Sequence, residues 1–388
     1  MRRTLRLAKP LRERVLAGHP WLYDRALQPA RDLVAGELVT VADERGPLAA
    51  AFVDPESPIR ARVVDLDPAC ACDAAWTRAR AEAAARRRAR DPLLAGCTGR
   101  RLVHGEADGC PGLVVDGYAE TAALVLDGAA AAAFWRPRLA DVLAGLERSG
   151  IAIAHAWLRA ERGTKGPGEA VRGDPPAEVV IAEDDARFGV DVRAGQKTGF
   201  FLDQRDNRRL IARHAAGARV LNLCAYTGGF SLHAALGGAT RVTSVDLAAP
   251  AIAALARNLE LSRLPADAHE LVVADVFDHL ARARDHGRRW DLVIADPPSF
   301  APSERAKPAA LRAYDKLAAA ALAVVEPGGR FALASCSSHV TEADLLALPG
   351  LGRADLRLRA AAGAATDHPV LPAFPEGRYL KFLFFDVA

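Results

Sequence analysis

Apolar residues in the C-terminal half form short runs that alternate with longer amphipathic stretches. The short runs predict strands at 219–224, 241–246, 270–274, 290–295 and 330–335. The longer stretches predict helices at 229–237, 249–262, 278–286 and 309–325. Such alternation is typical of a parallel sheet with crossover helices, and a last apolar run at 379–385 predicts one more buried strand. The pattern therefore predicts an α/β, doubly wound, Rossmann-like domain over residues 191–388.

Two other patterns occupy the first 190 residues. Short β-type segments broken by Gly and Pro fall at 36–41, 47–53 and 59–64. They predict a small β-barrel over residues 1–70. Residues 71–190 predict an α+β domain, in which an Arg-rich helix at 73–90 precedes two strands, a helix and two further strands, with a loop at 163–177. The arginines of the first helix are interpreted as a solvated face, with RNA-phosphate contacts as the alternative.

Composition narrows the class of protein without naming a function. With 51% apolar and 26% charged residues, the 388-residue chain is typical of a soluble multi-domain protein. No apolar run approaches the roughly 18 residues that cross a bilayer. No apolar stretch follows the basic N-terminus either, so we expect a cytoplasmic protein. The six cysteines indicate neither a disulfide scaffold nor a zinc site. The net charge of +3 does not indicate whether the protein binds nucleic acid.

Two polar turns carry the candidate chemistry. Asp296-Pro297-Pro298-Ser299-Phe300 directly follows the run 290–295, and Ser335-Cys336-Ser337-Ser338 closes the run 330–335. In an open α/β sheet, ligands bind beyond the carboxyl ends of adjacent strands. An acid, two prolines, an aromatic ring and a thiol are therefore expected at one cleft. This set points to methyl transfer onto a nucleic-acid base.

The neighbouring strand ends predict a cofactor site. The first strand runs into a glycine turn, where backbone N–H groups can approach a ligand at a helix N-terminus. Asp246 ends the second strand, where an acid commonly binds ribose hydroxyls, and Asp275 follows the third, where an acid can hold an adenine amine. With Asp296 after the fourth, this is the layout of S-adenosylmethionine-dependent methyltransferases. The predicted cofactor contacts here are Asn222, Ala225, Tyr226, Thr227, Gly228, Asp246, Asp275, Val276 and Asp296.

These motifs, with the segment 195–208 (GQKTGFFLDQRDNR) and the tail 375–381 (PEGRYLK), resemble the RlmI-type family of large-subunit ribosomal RNA cytosine-5 methyltransferases. The resemblance covers nearly the whole chain. It implies an N-terminal PUA domain that binds RNA, S-adenosylmethionine as cofactor, 23S ribosomal RNA as substrate and a homodimer. Within 195–208 we expect Lys197, Phe201, Asp203 and Gln204 to line the cofactor pocket, and Arg205 and Arg208 to face RNA phosphates.

Carbon 5 of cytosine is too weak a nucleophile to take a methyl group unaided, which explains a thiol in the site. A thiolate at Cys336 that adds to carbon 6 makes carbon 5 nucleophilic. Asp296 is expected to assist at the adjacent ring nitrogen. Pro297, Pro298 and Phe300 are expected to receive the flipped-out base. A second cysteine after the acid turn, present in many RNA cytosine-5 methyltransferases, is replaced by Ser299.

Two alternatives remain open from the residues. The acid-Pro-Pro-Ser-Phe turn also suits methylation of a guanine or adenine nitrogen, because the carboxylate and a proline carbonyl can accept hydrogen bonds from an amine. That chemistry needs no thiol. The second alternative is a non-catalytic RNA-binding factor in ribosome assembly that keeps the fold.

Overall fold

The computed structural model describes residues 2–160 and 168–388, and the chain divides into two compact units. The N-terminal unit comprises Met1–Ile181, Val190–Leu202 and Thr366–Gly377. The C-terminal unit comprises Ala182–Gly189, Asp203–Ala365 and Arg378–Ala388. Within the described ranges, no helix is both long and apolar enough to cross a bilayer.

The N-terminal unit begins with a five-stranded sheet in the order β1-β3-β4-β5-β2. Its elements are β1 (Thr4–Arg6), α1 (Arg12–Leu16), β2 (Trp21–Leu22), β3 (Leu38–Asp43), β4 (Gly46–Val53) and β5 (Ala61–Asp65). Strand β1 pairs parallel with β3, and the other pairs are antiparallel. Alternate apolar residues such as Val39, Val41 and Val53 are fully buried and form the core of this sheet.

A second five-stranded sheet, in the order β10-β9-β8-β7-β6, follows in the same unit. Its elements are α2 (Ala74–Ala89), β6 (Gly99–His104), β7 (Leu113–Tyr118), β8 (Thr121–Leu126), α3 (Ala129–Trp135), α4 (Leu139–Glu147), β9 (His155–Leu158) and β10 (Glu169–Arg172). Part of the predicted loop 163–177 is thus strand β10, while its residues 163–167 lie outside the described residues. The strands β11 (Val179–Glu183) and β12 (Ala186–Val190) form a two-stranded sheet.

Only some of the arginines in the predicted helix 73–90 form a solvated face: Arg86, Arg87 and Arg90 are exposed. Arg88 is 3% exposed and donates hydrogen bonds to Asp108 (2.8 Å) and to the carbonyl oxygen of Asp367 (2.8 Å). Arg78 and Arg80 bind the carboxylates of Asp141 and Asp65. The interpretation as a solvated face was therefore wrong for Arg88, because a carboxylate distant in sequence compensates its buried charge within the unit.

The C-terminal unit is built on a seven-stranded sheet in the order β15-β14-β13-β16-β17-β19-β18. Its strands are β13 (Arg219–Leu223), β14 (Arg241–Asp246), β15 (His269–Val273), β16 (Trp290–Ala295), β17 (Val325–Ser335), β18 (Leu356–Ala362) and β19 (Lys381–Val387). Its helices are α5 (Arg205–Ala212), α6 (Gly229–Leu236), α7 (Ala249–Leu261), α8 (Val276–Asp285), α9 (Lys307–Leu322) and α10 (Glu342–Leu346). Strands β13 to β17 pair in parallel, whereas β19 is antiparallel to both neighbours.

Both faces of the inner strands of this sheet are buried, which explains their continuous apolar runs. Along β13, Leu221 and Leu223 pack into the cluster that contains α8 and α9, whereas Val220 packs into the cluster that contains α5 and α6. The chain order reverses at β13, which lies between β14 and β16. Such a reversal opens a crevice at the carboxyl ends of the strands. The predicted α/β fold class is confirmed, while the domain boundaries at residues 70 and 190 stay predictions.

Candidate active site

Three of the predicted acids raise the pKa of one thiol, Cys224, at the carboxyl edge of the sheet. Cys224 directly follows β13. Burial, and then the carboxylates of Asp296, Asp246 and Asp275, raise the pKa of Cys224 to about 12. The acids that follow three different strands therefore share one neighbourhood, as predicted from their positions after the strands. Cys224 itself remains a protonated thiol at neutral pH.

The glycine turn after β13 has an unusual backbone. Cys224, Tyr226 and Gly228 have φ values of 58°, 47° and 87°. Asp246 stabilises this turn, because its Oδ2 accepts a hydrogen bond from the backbone N–H of Tyr226 at 2.8 Å. Thr227 lies in the same turn, and its hydroxyl oxygen is buried with no hydrogen-bond partner among the described residues. The turn thus presents a polar atom that a ligand can satisfy.

Asp275 has a structural role that its motif did not predict. It caps α8, accepting hydrogen bonds from the backbone N–H groups of Phe277 (2.8 Å) and Asp278 (3.3 Å). Both bonds go to Oδ1, and a contact of this carboxylate with an adenine amine stays a prediction. Two exposed apolar residues lie next to the predicted acids in sequence: Leu247, which follows Asp246, is 72% exposed, and Val273, two residues before Asp275, is 53% exposed.

Asn222 lies inside β13 and not at its end. Its side-chain amide donates a hydrogen bond to Ser231 Oγ (2.8 Å), and Ser231 in turn bonds Ser244 (2.7 Å). All three residues are buried. The network joins β13, α6 and β14 beneath the glycine turn. A direct contact of Asn222 or Ala225 with a cofactor stays a prediction.

The two chemical turns are joined by hydrogen bonds. Strands β16 and β17 pair in parallel, with Ala295 opposite Leu333, so both turns leave the same edge of the sheet. Ser299 Oγ lies 2.8 Å from Ser337 Oγ, and the backbone N–H of Ala301 donates to the same oxygen at 3.3 Å. Cys336, between Ser335 and Ser337, is partly exposed and in no disulfide. The structure therefore brings together the two turns that the sequence placed at one cleft.

An amide chain holds the carboxylate of Asp296. Gln204 is buried, and its Nε2 donates to Asp296 Oδ2 at 3.0 Å. Its Oε1 accepts a hydrogen bond from Asn207 Nδ2 at 2.6 Å, and Asn207 also donates to the carbonyl oxygen of Gly363. Gln204 was predicted to contact the cofactor. The structure adds a positioning role for it that the sequence did not indicate.

The other predicted pocket residues fall into different units. Lys197 and Phe201 belong to the N-terminal unit, where the Lys197 ammonium lies 4.4 Å from the centre of the Phe201 ring. The neighbouring Thr198 is buried and donates to Asp116 at 2.5 Å. Asp203 belongs to the C-terminal unit, and its Oδ2 accepts a hydrogen bond from the Tyr379 hydroxyl at 2.7 Å. Cofactor contacts for these residues stay predictions.

The predicted RNA contacts of Arg205 and Arg208 are wrong. Arg205 is fully buried and Arg208 is 2% exposed. Arg208 binds Glu183 through Nε (2.5 Å) and Nη2 (2.6 Å), and Nε of Arg205 lies 3.4 Å from the same carboxylate. Guanidiniums paired inside the C-terminal unit cannot reach RNA phosphates.

The predicted base-binding residues differ in exposure. Pro297 is buried, Pro298 is exposed, and Phe300 is partly buried. The ring of Phe300 lies 4.8 Å from that of Tyr314, measured between centroids. Stacking of Phe300 on a base stays a prediction.

Replacing Gly228 with Ala should weaken cofactor binding. A Cβ at this residue would lie 2.5 Å from Leu255 Cγ, and φ is +87°. The left-handed backbone costs a non-glycine residue about 1–2 kcal/mol, and the overlap forces the turn to shift. We expect an affinity for S-adenosylmethionine lower by about tenfold, or about 1.4 kcal/mol, measured by calorimetry.

Gly217→Ala is the matched control for this substitution. Gly217 has a φ of +73° and no atom within 4 Å of the added Cβ. The Gly217→Ala variant should lose about 1 kcal/mol of stability and keep the native affinity for S-adenosylmethionine. Equal affinities for the two variants would contradict the role of the turn.

Comparison with protein families agrees with this geometry. Residues 152–347 match the family described as S-adenosylmethionine-dependent methyltransferase, and residues 5–66 match a PUA-like domain. The protein is thus a methyltransferase that uses S-adenosylmethionine. When bound, this cofactor supplies an electrophilic methyl group.

Curated relatives narrow the family. A protein named Ribosomal RNA large subunit methyltransferase from Deinococcus radiodurans is 40% identical over 98% of this chain and 96% of its own. Ribosomal RNA large subunit methyltransferase I from Cronobacter sakazakii is 35% identical over 97% of each chain. The chain therefore belongs to the ribosomal RNA large subunit methyltransferase I family, in agreement with the resemblance of its motifs.

Solved structures show the same fold at lower identity. A SAM-dependent methyltransferase from Streptococcus mutans superposes with a TM-score of 0.85 at 23% identity, over 99% of this chain and 100% of its own. A methyltransferase crystallised in complex with SAH gives a TM-score of 0.86 at 23% identity over all of both chains. This likeness supports the arrangement of the strands.

The residues present fit the cofactor. Carboxylates at Asp246 and Asp275 suit ribose hydroxyls and an adenine amine, and the exposed Leu247 and Val273 suit the adenine ring. The buried hydroxyl of Thr227 offers a further polar contact. Among the described residues, no group of three or more His, Cys, Asp or Glu side chains could hold a metal ion.

Proposed function

We propose that this protein methylates carbon 5 of a cytosine in the large-subunit (23S) ribosomal RNA, with Cys336 as the nucleophile and Asp296 as the assisting acid. The observation that carries the proposal is the Ser299–Ser337 hydrogen bond of 2.8 Å, which holds the acid turn and the thiol turn together. The names of the relatives from Deinococcus and Cronobacter support ribosomal RNA as the substrate.

The proposed chemistry begins at carbon 6 of the base. The thiolate of Cys336 adds there, and the carboxyl group of Asp296, in its protonated form, donates a hydrogen bond or its proton to ring nitrogen 3, where negative charge would otherwise develop. Carbon 5 thereby becomes nucleophilic enough to accept a methyl group. A base then takes the carbon 5 proton. The electron pair of that C–H bond restores the ring double bond as the thiolate leaves.

The residues around the two turns suit this task. Gln204 orients the carboxylate of Asp296 through its 3.0 Å hydrogen bond. Phe300, partly buried against Tyr314, offers an aromatic face for a base that has left its stack. The PUA-like segment, residues 5–66, supports an RNA partner outside the catalytic domain. A homodimer, implied by the family resemblance, is tested by light scattering.

Methylation of a guanine or adenine nitrogen is the competing function. The exposed position of Pro298 favours this function, because an exocyclic amine can reach the acid turn. A non-catalytic RNA-binding role would need neither turn.

Nucleoside analysis tests the proposal. Ribosomal RNA from a strain that lacks the gene is incubated with the purified protein and S-adenosylmethionine, digested, and analysed by mass spectrometry. We expect new 5-methylcytidine, on either naked RNA or assembled large subunits used as separate substrates. A methylated purine nitrogen would support the competing function. No new modification on either substrate would contradict both enzymatic proposals.

A further inference from the structure

A buried lysine lies directly against the thiol turn. Lys381 is the first residue of β19 and pairs with Ser335, the last residue of β17. Its side chain is 6% exposed. Its ammonium donates hydrogen bonds to the carbonyl oxygens of Ser337 (2.5 Å) and Tyr379 (2.8 Å). A positive charge is thus fixed on the residue that follows Cys336.

The electrostatics around this lysine couple it to the cysteine. Burial lowers the pKa of Lys381 to about 8, while the negative charges of Cys336 and Asp344 act to raise it. The ammonium is therefore mostly present at pH 7 and is lost as the pH rises through about 8. The attraction between two charges stabilises both of them. A Cys336 thiolate that stabilises the Lys381 ammonium is therefore itself stabilised by that ammonium.

The other ionisable groups near the turn offer less to the thiolate. Asp344 already binds the ammonium of Lys307 at 2.8 Å. Burial raises the pKa of the Tyr314 phenol, and Ser335 donates a hydrogen bond to its oxygen, so this group stays neutral. His339 lies 3.1 Å from Glu304. Asp296, which directly follows β16, opposes a thiolate when its carboxyl group is ionised.

We propose that Lys381 is a positioning residue whose buried ammonium favours the ionised form of Cys336. The inference rests on the proposed role of Cys336 as nucleophile. Ionisation releases the thiol proton to solvent and leaves the ion pair of ammonium and thiolate ready for addition to carbon 6. The hydrogen bonds to Ser337 and Tyr379 hold the ammonium of Lys381 beside the thiol turn.

Alkylation of Cys336 tests this without methyl transfer. The cofactor-free protein is treated with iodoacetamide from pH 5 to 10, and modification of the Cys336 peptide is followed by mass spectrometry. Lys381→Gln keeps a hydrogen-bond donor but loses the charge, so the midpoint of the pH profile should rise by about 1 pH unit. Lys381→Arg keeps the charge and should retain a midpoint close to that of the native protein.

Further variants separate charge from folding. Lys316→Gln removes an exposed lysine of α9, whose ammonium lies 4.5 Å from the Phe277 ring, and should leave the midpoint unchanged. If the Lys381→Gln variant does not fold, Lys381→Met replaces it as the uncharged variant. Its apolar side chain suits the buried position. An unchanged midpoint in a folded neutral variant would overturn the inference. Equal shifts in the Gln, Met and Arg variants would also overturn it, since they indicate a structural role.

The proposed function can fail separately. If Cys336→Ala still methylates RNA, the cysteine is not the nucleophile. The alkylation profiles would then still decide whether Lys381 stabilises its thiolate.

Discussion

Replacing Cys336 with Ala is expected to lower the rate of ribosomal RNA methylation by on the order of 10⁴-fold. Without the thiolate, carbon 5 of cytosine does not become nucleophilic. The affinity for S-adenosylmethionine should stay within about twofold, because the predicted cofactor contacts lie on other strand ends. Transfer of a radioactive methyl group to RNA measures the first quantity, and calorimetry measures the second.

Cys70→Ala is the matched control, because Cys70 is also a partly exposed cysteine without a disulfide, but in the N-terminal unit. It should keep full activity. RNA that contains 5-fluorocytosine adds a direct assay, since fluorine replaces the carbon 5 proton and traps the protein–RNA adduct. The native protein and the control should form this adduct, and Cys336→Ala should not. Full activity of Cys336→Ala would favour nitrogen methylation instead.

Much of the catalytic domain could be predicted from apolar runs, because its central strands are buried on both faces. The strands predicted at 241–246 and 290–295 occur at Arg241–Asp246 and Trp290–Ala295. The missed strand, Leu356–Ala362, lies at the edge of the sheet, and its mostly polar or exposed residues form no apolar run. An edge strand that is only partly buried has too few apolar residues in a row to be detected from the sequence.

The proximity of the three acids was predictable, because each of them follows a strand of the sheet. Asp246, Asp275 and Asp296 act together on Cys224, as their positions after successive strands predicted. The hydrogen bond that orients one of these carboxylates was not predictable. The bond from Gln204 to Asp296 spans 92 residues, so local spacing gives no signal for it.

Most wrong predictions concerned charged residues, and the reason is physical. A sequence pattern shows a charge but not its partner. Arg208 looked like an RNA contact because arginine is usually exposed. Its partner Glu183 lies 25 residues away, and burial of the pair became evident only in the fold. Lys381 was part of a family motif, but its burial against the thiol turn is likewise a tertiary feature.

The ion pair of Glu183 leads to the largest expected change in stability. Glu183 is 1% exposed, accepts two hydrogen bonds from Arg208, and lies 2.9 Å from Nε2 of His233. Glu183→Gln removes the buried negative charge that faces Arg205 and Arg208. Removing one partner of such a pair typically costs about 3–5 kcal/mol in the free energy of unfolding. Urea unfolding at pH 7 measures this loss.

The pH dependence of the same variant gives a second test. Burial alone would raise the pKa of Glu183, but the charge of Arg208 and hydrogen bonds from His233 and Arg208 hold it well below its usual range. A depressed pKa contributes stability above the unfolded value of about 4.3, and this contribution is lost as the pH falls below it. The difference between the native protein and Glu183→Gln should therefore shrink between pH 5 and pH 3.

Asp184→Asn is the control on the adjacent residue. The Asp184 side chain is 42% exposed, binds Arg209 at 2.7 Å, and has a φ of 56° that Asn tolerates. Surface pairs contribute about 0–1 kcal/mol, so this variant should unfold near the native urea concentration. Similar losses for the two variants would contradict the role of the buried ion pair, because the exposed pair at Asp184 lacks its desolvated charges.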